Sequence, residues 1–216
     1  MDMALRGTFL DIHSSNEITV HPANALFIQG LQYLLQSAGH TNEHCSHMLV
    51  DCWAAELKKG AEMVCRGEKG RKNMFLLNNT CGVLQIMRRT GASFSMIELV
   101  ITSMIQQHKK SYFDEYWIPL KNTLLLNLDK FTAEFLATCK NQRTWKVTAE
   151  LKYQLRQEIV DLIVPLYKAS FSALQANRSQ LLGLHCSFER VISGKKKPKK
   201  YTGEELQAEI EALFEG

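Results

Sequence analysis

MFLLNNTCGVLQIMRR, residues 74–89, is a strongly apolar stretch with no proline and none of the polar–apolar alternation of a half-buried strand. It reads as a helix closed by Gly91. Two amides, Asn78 and Asn79, interrupt it. In a helix that is otherwise apolar they predict buried side chains that hydrogen-bond to neighbouring helices and fix their register.

The same reading extends in both directions. Upstream, Leu5, Phe9 and Ile12 recur with helical spacing over residues 4–12. His21-Pro22 then precedes a helix whose Phe27, Leu31, Leu34 and Leu35 share a face, with Pro22 setting φ at its start and Ala38-Gly39 ending it. A further helix is predicted over 43–66, with Met48, Cys52 and Ala55 on one stripe. Residues 67–70 form a polar break. Downstream, a long pattern runs from Phe94 through Ile97, Ile101, Met104 and Ile105 towards Trp117, and Pro119 should kink or split it. Phe131, Phe135 and Leu136 open another helix. Residues 145–148 read as extended. Leu151, Leu155, Ile159, Leu162, Ile163 and Leu166 mark a long helix to about Leu174, which Pro165 should bend. At the end, Thr202 and Glu205 form a T-x-x-E capping box ahead of Leu206, Ile210, Leu213 and Phe214. Trp53, Trp117 and Trp145 are expected in helix packing.

The expected fold is all-α: stacked antiparallel helical bundles forming part of an elongated rod. The expected division is a first bundle over 1–125 and a second over 126–216, the latter with a lysine-rich loop at 194–201 and a terminal helix at 202–216.

Composition agrees. The chain has 216 residues, 45% of them hydrophobic, an ordinary globular value that argues against disorder. Only 12 Gly and 4 Pro interrupt it, which favours long helices over a turn-rich β fold. The net charge is +4, and the KKKPKK run at 195–200 supplies five positive charges, so the remainder is slightly negative. A broad nucleic-acid-binding face is therefore not expected. The six cysteines have irregular spacing and no C-x-x-C, which fits free thiols in a reducing compartment better than a disulfide framework. The opening MDMALRGTFLDIHSS has neither the basic region nor the apolar core of a signal peptide. No uninterrupted apolar run approaches a membrane span, so membrane contact is expected to be peripheral.

Several segments in this order resemble the seventy-kilodalton exocyst subunit family. Leu5-Arg6-Gly7-Thr8-Phe9 is similar to its RGTF-type helix, and His21-Pro22 with Tyr33-Leu34 to its HP-begun helix. Phe75-Leu76-Leu77-Asn78-Asn79 with Gln85 resembles its F-L-(M/L)-N-N…Q stretch. His108-Lys109-Lys110, Tyr112, Tyr116 and Trp117 follow, then Lys130-Phe131, Phe135, Gln142 and Trp145, then Leu151, Leu155-Arg156, Pro165 and Tyr167. The finish, Lys200-Tyr201-Thr202, Glu204, Leu206 and Leu213-Phe214-Glu215-Gly216, is similar to the family's end and has a plant-type style. Departures are Ala23, Asn24 and Ala25 after the His-Pro pair, Gly82 in place of Tyr, Pro119, Thr148-Ala149 in place of Pro-Asp, and Gly203 in place of Pro.

The resemblance implies an all-helical C-terminal part of a vesicle-tethering subunit in exocytosis, cytoplasmic and peripheral to the plasma membrane. It implies contacts with other exocyst subunits, small Rho-type GTPases and anionic plasma-membrane lipids, with no nucleic acid. Lys195, Lys196, Lys197, Lys199 and Lys200 are the candidate phosphoinositide-binding residues. Each lysine near an anionic leaflet contributes about 1 kcal/mol before screening, enough for weak and reversible attachment. A solvated linker and a nuclear-import signal are the other readings of such a run. An alternative for the whole chain is a divergent module in plant defence signalling, an effector target or decoy without exocyst assembly. No catalytic residues and no cofactor are expected: G-x-S-x-G, Walker A, G-x-G-x-x-G and H-E-x-x-H are all missing from the sequence. His40, His44, Cys45, His47 and Cys52 lack a second ligand pair at convincing spacing, so no metal is expected.

Overall fold

A computed structural model describes residues 21–37, 43–65, 67–90, 95–182 and 201–216. They form seven helices: α1 (Ala23–Ser37), α2 (Glu43–Cys65), α3 (Lys69–Thr90), α4 (Ser95–Leu126), α5 (Leu128–Gln142), α6 (Ala149–Leu182) and α7 (Gly203–Glu211). No strand occurs among the described residues, and the fold is all-α. The expected helix at 4–12, the Ala38-Gly39 terminus, Phe94 and the lysine run lie outside the described residues.

The chain packs as two compact units. The described residues up to Glu115, with 145–151, make the first; 116–144 and 152–215 make the second.

In the first unit α1 begins immediately after Pro22, as the fixed φ of proline requires. Its Phe27 and Leu31 are 1% exposed. Phe27 stacks on Trp53 of α2, with ring centroids 4.6 Å apart. The stripe predicted for α2 faces the wrong way. Met48, Cys52 and Ala55 are exposed, and the buried face is Val50, Trp53, Leu57 and Ala61. The face that carries Trp53, the largest side chain of the helix, is the one turned inward, which removes the greatest single apolar area from water. The polar break is also shorter than expected, since Gly70 already lies in the first turn of α3. Within α3, Met74, Phe75, Leu77 and Val83 are all but fully buried.

In the second unit Trp117, Phe131, Phe135 and Tyr167 are buried together. Phe131 lies 5.5 Å from Phe135 and 5.9 Å from Tyr167, ring to ring. Asn127 separates α4 from α5. Its backbone is extended, and its side chain accepts a hydrogen bond from the Lys130 N–H at 2.9 Å, an N-cap. Along α6, from Lys152 onwards part of this unit, the buried stripe is Leu155, Ile159, Ile163 and Tyr167. Residues Ala149–Ala176 are long and apolar enough, by length and composition, to cross a membrane. One face of that span is the buried stripe, and most of its other positions are not buried.

Neither proline splits its helix. α4 runs through Pro119 and α6 through Pro165. Both prolines are exposed. On a solvent-facing side, water can bond to the carbonyl four residues back that has lost its N–H donor, so the helix continues.

Candidate functional site

The residues immediately after the lysine run are fixed by the second unit. Tyr167 donates its hydroxyl to the Tyr201 carbonyl at 2.8 Å. Thr202 then closes the predicted capping box: its Oγ1 accepts from the Glu205 N–H at 3.1 Å, and Glu205 accepts from the Thr202 N–H at 2.9 Å. Leu206, Ile210, Leu213 and Phe214 are at most 1% exposed. A nine-residue helix cannot hold itself together in water, and this apolar face is what keeps α7 folded.

The tail beyond α7 turns sharply. Phe214 has φ 60°, the left-handed region that non-glycine residues rarely occupy. The turn sends the Phe214 N–H to the Gln142 carbonyl at 3.3 Å and the Glu215 N–H to the Arg143 carbonyl at 3.1 Å. These carbonyls belong to the C-terminal end of α5, where intrahelical donors run out. The strain of order 1 kcal/mol in such a conformation is offset by burying a phenylalanine and satisfying two carbonyls.

Charges complete the anchor. Arg156 donates to the Leu213 carbonyl and to Glu215. Lys152 also pairs with Glu215 at 3.6 Å, Arg143 with Glu209 at 2.7 Å and Lys168 with Glu204 at 3.1 Å. Arg156 and Lys152 hold the Glu215 carboxyl below the usual range, and hydrogen bonds at the helix start together with Lys168 do the same for Glu204. These four cations around α7 thus face carboxylates of the same unit. The candidate lipid-binding residues Lys195, Lys196, Lys197, Lys199 and Lys200 lie outside the described residues.

A second polar constellation sits in the first unit, and it is structural. Asn79 Oδ1 accepts from the His21 backbone N–H at 2.6 Å and from Asn24 Nδ2 at 3.0 Å. Its own Nδ2 donates to the Phe75 carbonyl at 2.9 Å. Asn24 Oδ1 accepts from the Trp53 indole N–H at 2.9 Å. Asn78 Oδ1 accepts from the Thr148 N–H at 2.9 Å, which holds the non-helical 145–148 segment against α3. The two asparagines were legible in the sequence as register-fixing amides. Their partners Asn24 and Thr148 were not, since each stood out only as a departure from the family's pattern.

Burial pushes the thiols of Cys65 and Cys81 up to about 11 and that of Cys139 up to about 12. At neutral pH these are protonated, apolar fillers rather than nucleophiles. The five described cysteines are free. Among the described residues no group of three or more His, Cys, Asp or Glu side chains could hold a metal ion.

Fold and site together define a helical scaffold whose polar groups are used to hold helices in place. The chain belongs to the exocyst subunit family: the family model for the C-terminal region of the Exo70 exocyst complex subunit matches residues 35–212. No curated protein matches. Members of this family are subunits of the exocyst, the complex that tethers vesicles in exocytosis, and they associate with other exocyst subunits.

Proposed function

We propose that the chain tethers vesicles at the plasma membrane by combining protein contacts through its helix faces with a weak grip on anionic lipid. The family match over 35–212 carries the tethering part. The lipid part rests on the five lysines at 195–200 and on the internal pairing of the cations around α7. In this reading Lys195, Lys196, Lys197, Lys199 and Lys200 meet phosphoinositide headgroups, and the anchored Tyr201 transmits that contact to the second unit. The helix faces bind other exocyst subunits and small Rho-type GTPases. The five lysines would contribute at most about 5 kcal/mol before screening. Attachment is therefore reversible, and stable residence needs the other subunits to bind at the same time.

Co-sedimentation with liposomes tests the lipid contact. Vesicles with a phosphoinositide should bring down the native chain, and changing all five lysines to Glu should abolish this. Added salt should weaken it steeply. A folded native chain that stays in the supernatant, while still capturing another exocyst subunit, would reject the lipid contact and leave tethering by protein contacts.

A further inference from the structure

His21 stands where three helices of the first unit meet. It precedes α1, touches α2 and α3, and is 4% exposed. Its backbone N–H is held by Asn79 of α3. Its ring meets Phe75 edge-on at 6.0 Å. On the other side lies Gly60 of α2, where an added Cβ would come within 2.8 Å of the imidazole Nε2. The ring is therefore walled in, and only a glycine at position 60 leaves room for it.

The imidazole also caps α1. The Ala23 N–H, one of the first-turn donors with no partner inside the helix, donates to Nδ1 at 3.2 Å. This contact assigns the tautomer: Nδ1 carries the lone pair, and the neutral ring holds its proton on Nε2.

We infer that His21 is an acid-sensitive latch: protonation at Nδ1 removes the acceptor for Ala23 and loosens the start of α1 from α2 and α3. A proton on Nδ1 would point at another N–H, and the walled ring has little room to turn away. The surroundings oppose the charge. Burial depresses the imidazole below its ordinary value of 6.5, and Glu56 of α2 opposes that shift only in part. Glu56 is itself bridged to Lys59 at 2.6 Å. The α3 groups that meet the ring and its backbone, Phe75 and Asn79, do not titrate.

The sign follows from linkage. A histidine with a depressed folded-state value contributes stability that is complete above 6.5. That stability is lost as the pH falls from there through the folded-state value. His108, depressed to about 4 by burial and Lys58, has the same sign, so the two must be separated by substitution.

Long-range proton–nitrogen correlation spectra of the imidazoles in the unaltered chain give the first test. Nδ1 of His21 should be unprotonated near neutral pH and should titrate below 6.5. Over the same interval, amide exchange in α1, normalised for intrinsic rates, should accelerate relative to α3. A protonated Nδ1 at neutral pH, or exchange in α1 that tracks α3 throughout, would overturn the inference. The second test is His21→Asn, which keeps a cap acceptor and cannot titrate. Between about pH 7.5 and about pH 5.5 its melting temperature should fall less than that of the native chain. An equal fall in both also overturns the inference. Should the variant not fold, the spectra of the native chain still decide.

Discussion

In the first unit a chain of buried amides links helices within the apolar core: Asn79, Asn24 and the indole N–H of Trp53 bond in series, with Asn78 holding the 145–148 segment. In the second unit the corresponding work falls to rings, with Trp117, Phe131, Phe135 and Tyr167 buried edge to face, stacked or tilted against one another. The two solutions select for different things. A buried amide tolerates one register only, because any slip leaves donors without acceptors at about 1–3 kcal/mol each. Aromatic burial is less directional and rewards volume and area. Both units are packed around apolar cores, and the first adds a directional requirement through its buried amides. The second adds a rim of ion pairs where α7 closes it.

The largest effect that would break this comparison belongs to Phe214. Phe214→Ala should cost about 3–5 kcal/mol of the second unit's stability, read by denaturant unfolding. Phe214→Gly would relieve the left-handed backbone, yet the relief of order 1 kcal/mol is smaller than the lost burial, so it too should destabilise. A neutral Phe214→Gly would mean that the turn, and not the ring, holds the tail. Next comes Asn79→Leu, which is close in size and would be harmless in a core held by volume alone. Loss of the one oxygen that accepts from both the His21 N–H and Asn24 Nδ2 predicts about 1–3 kcal/mol. A change below about 0.5 kcal/mol would remove the claim that amides specify the first unit. Thr202→Ala should cost about 1 kcal/mol through the capping box, with faster amide exchange confined to α7. Glu209→Ala breaks the exposed pair with Arg143 and should cost less than about 1 kcal/mol, diminishing further in high salt. An effect as large as that of Phe214→Ala would show that the rim, rather than the apolar face, carries α7.

Much of this was legible in the sequence because helical periodicity reports burial directly. Leu206, Ile210, Leu213 and Phe214 announced the α7 face, and Thr202 with Glu205 announced its start. Asn78 and Asn79 were conspicuous because amides in an apolar run need partners. What the sequence hid was decided by direction and neighbours. On α2 the choice between the Met48 stripe and the Trp53 stripe depends on where α1 and α3 lie. The continuity of α4 and α6 through Pro119 and Pro165 depends on both rings facing water. Asn24 looks like any surface polar residue until Asn79 and Trp53 are placed on either side of it. The candidate lipid contact was read from charge density and from the family resemblance, and neither carries geometry.

The close approach at Gly60 has a consequence for anyone engineering this chain. By helix propensity, glycine to alanine is a routine stabilising exchange in a helix interior, contributing about 0.5–1 kcal/mol. Gly82 in α3 suits that exchange, since an added Cβ meets nothing within 4 Å. Gly60 in α2 inverts it, because the new methyl would press on the His21 ring. Two glycines that score alike on a propensity scale therefore have opposite prospects. A thermostabilising library that treats them as equivalent would combine a gain at one site with a wedge at the other.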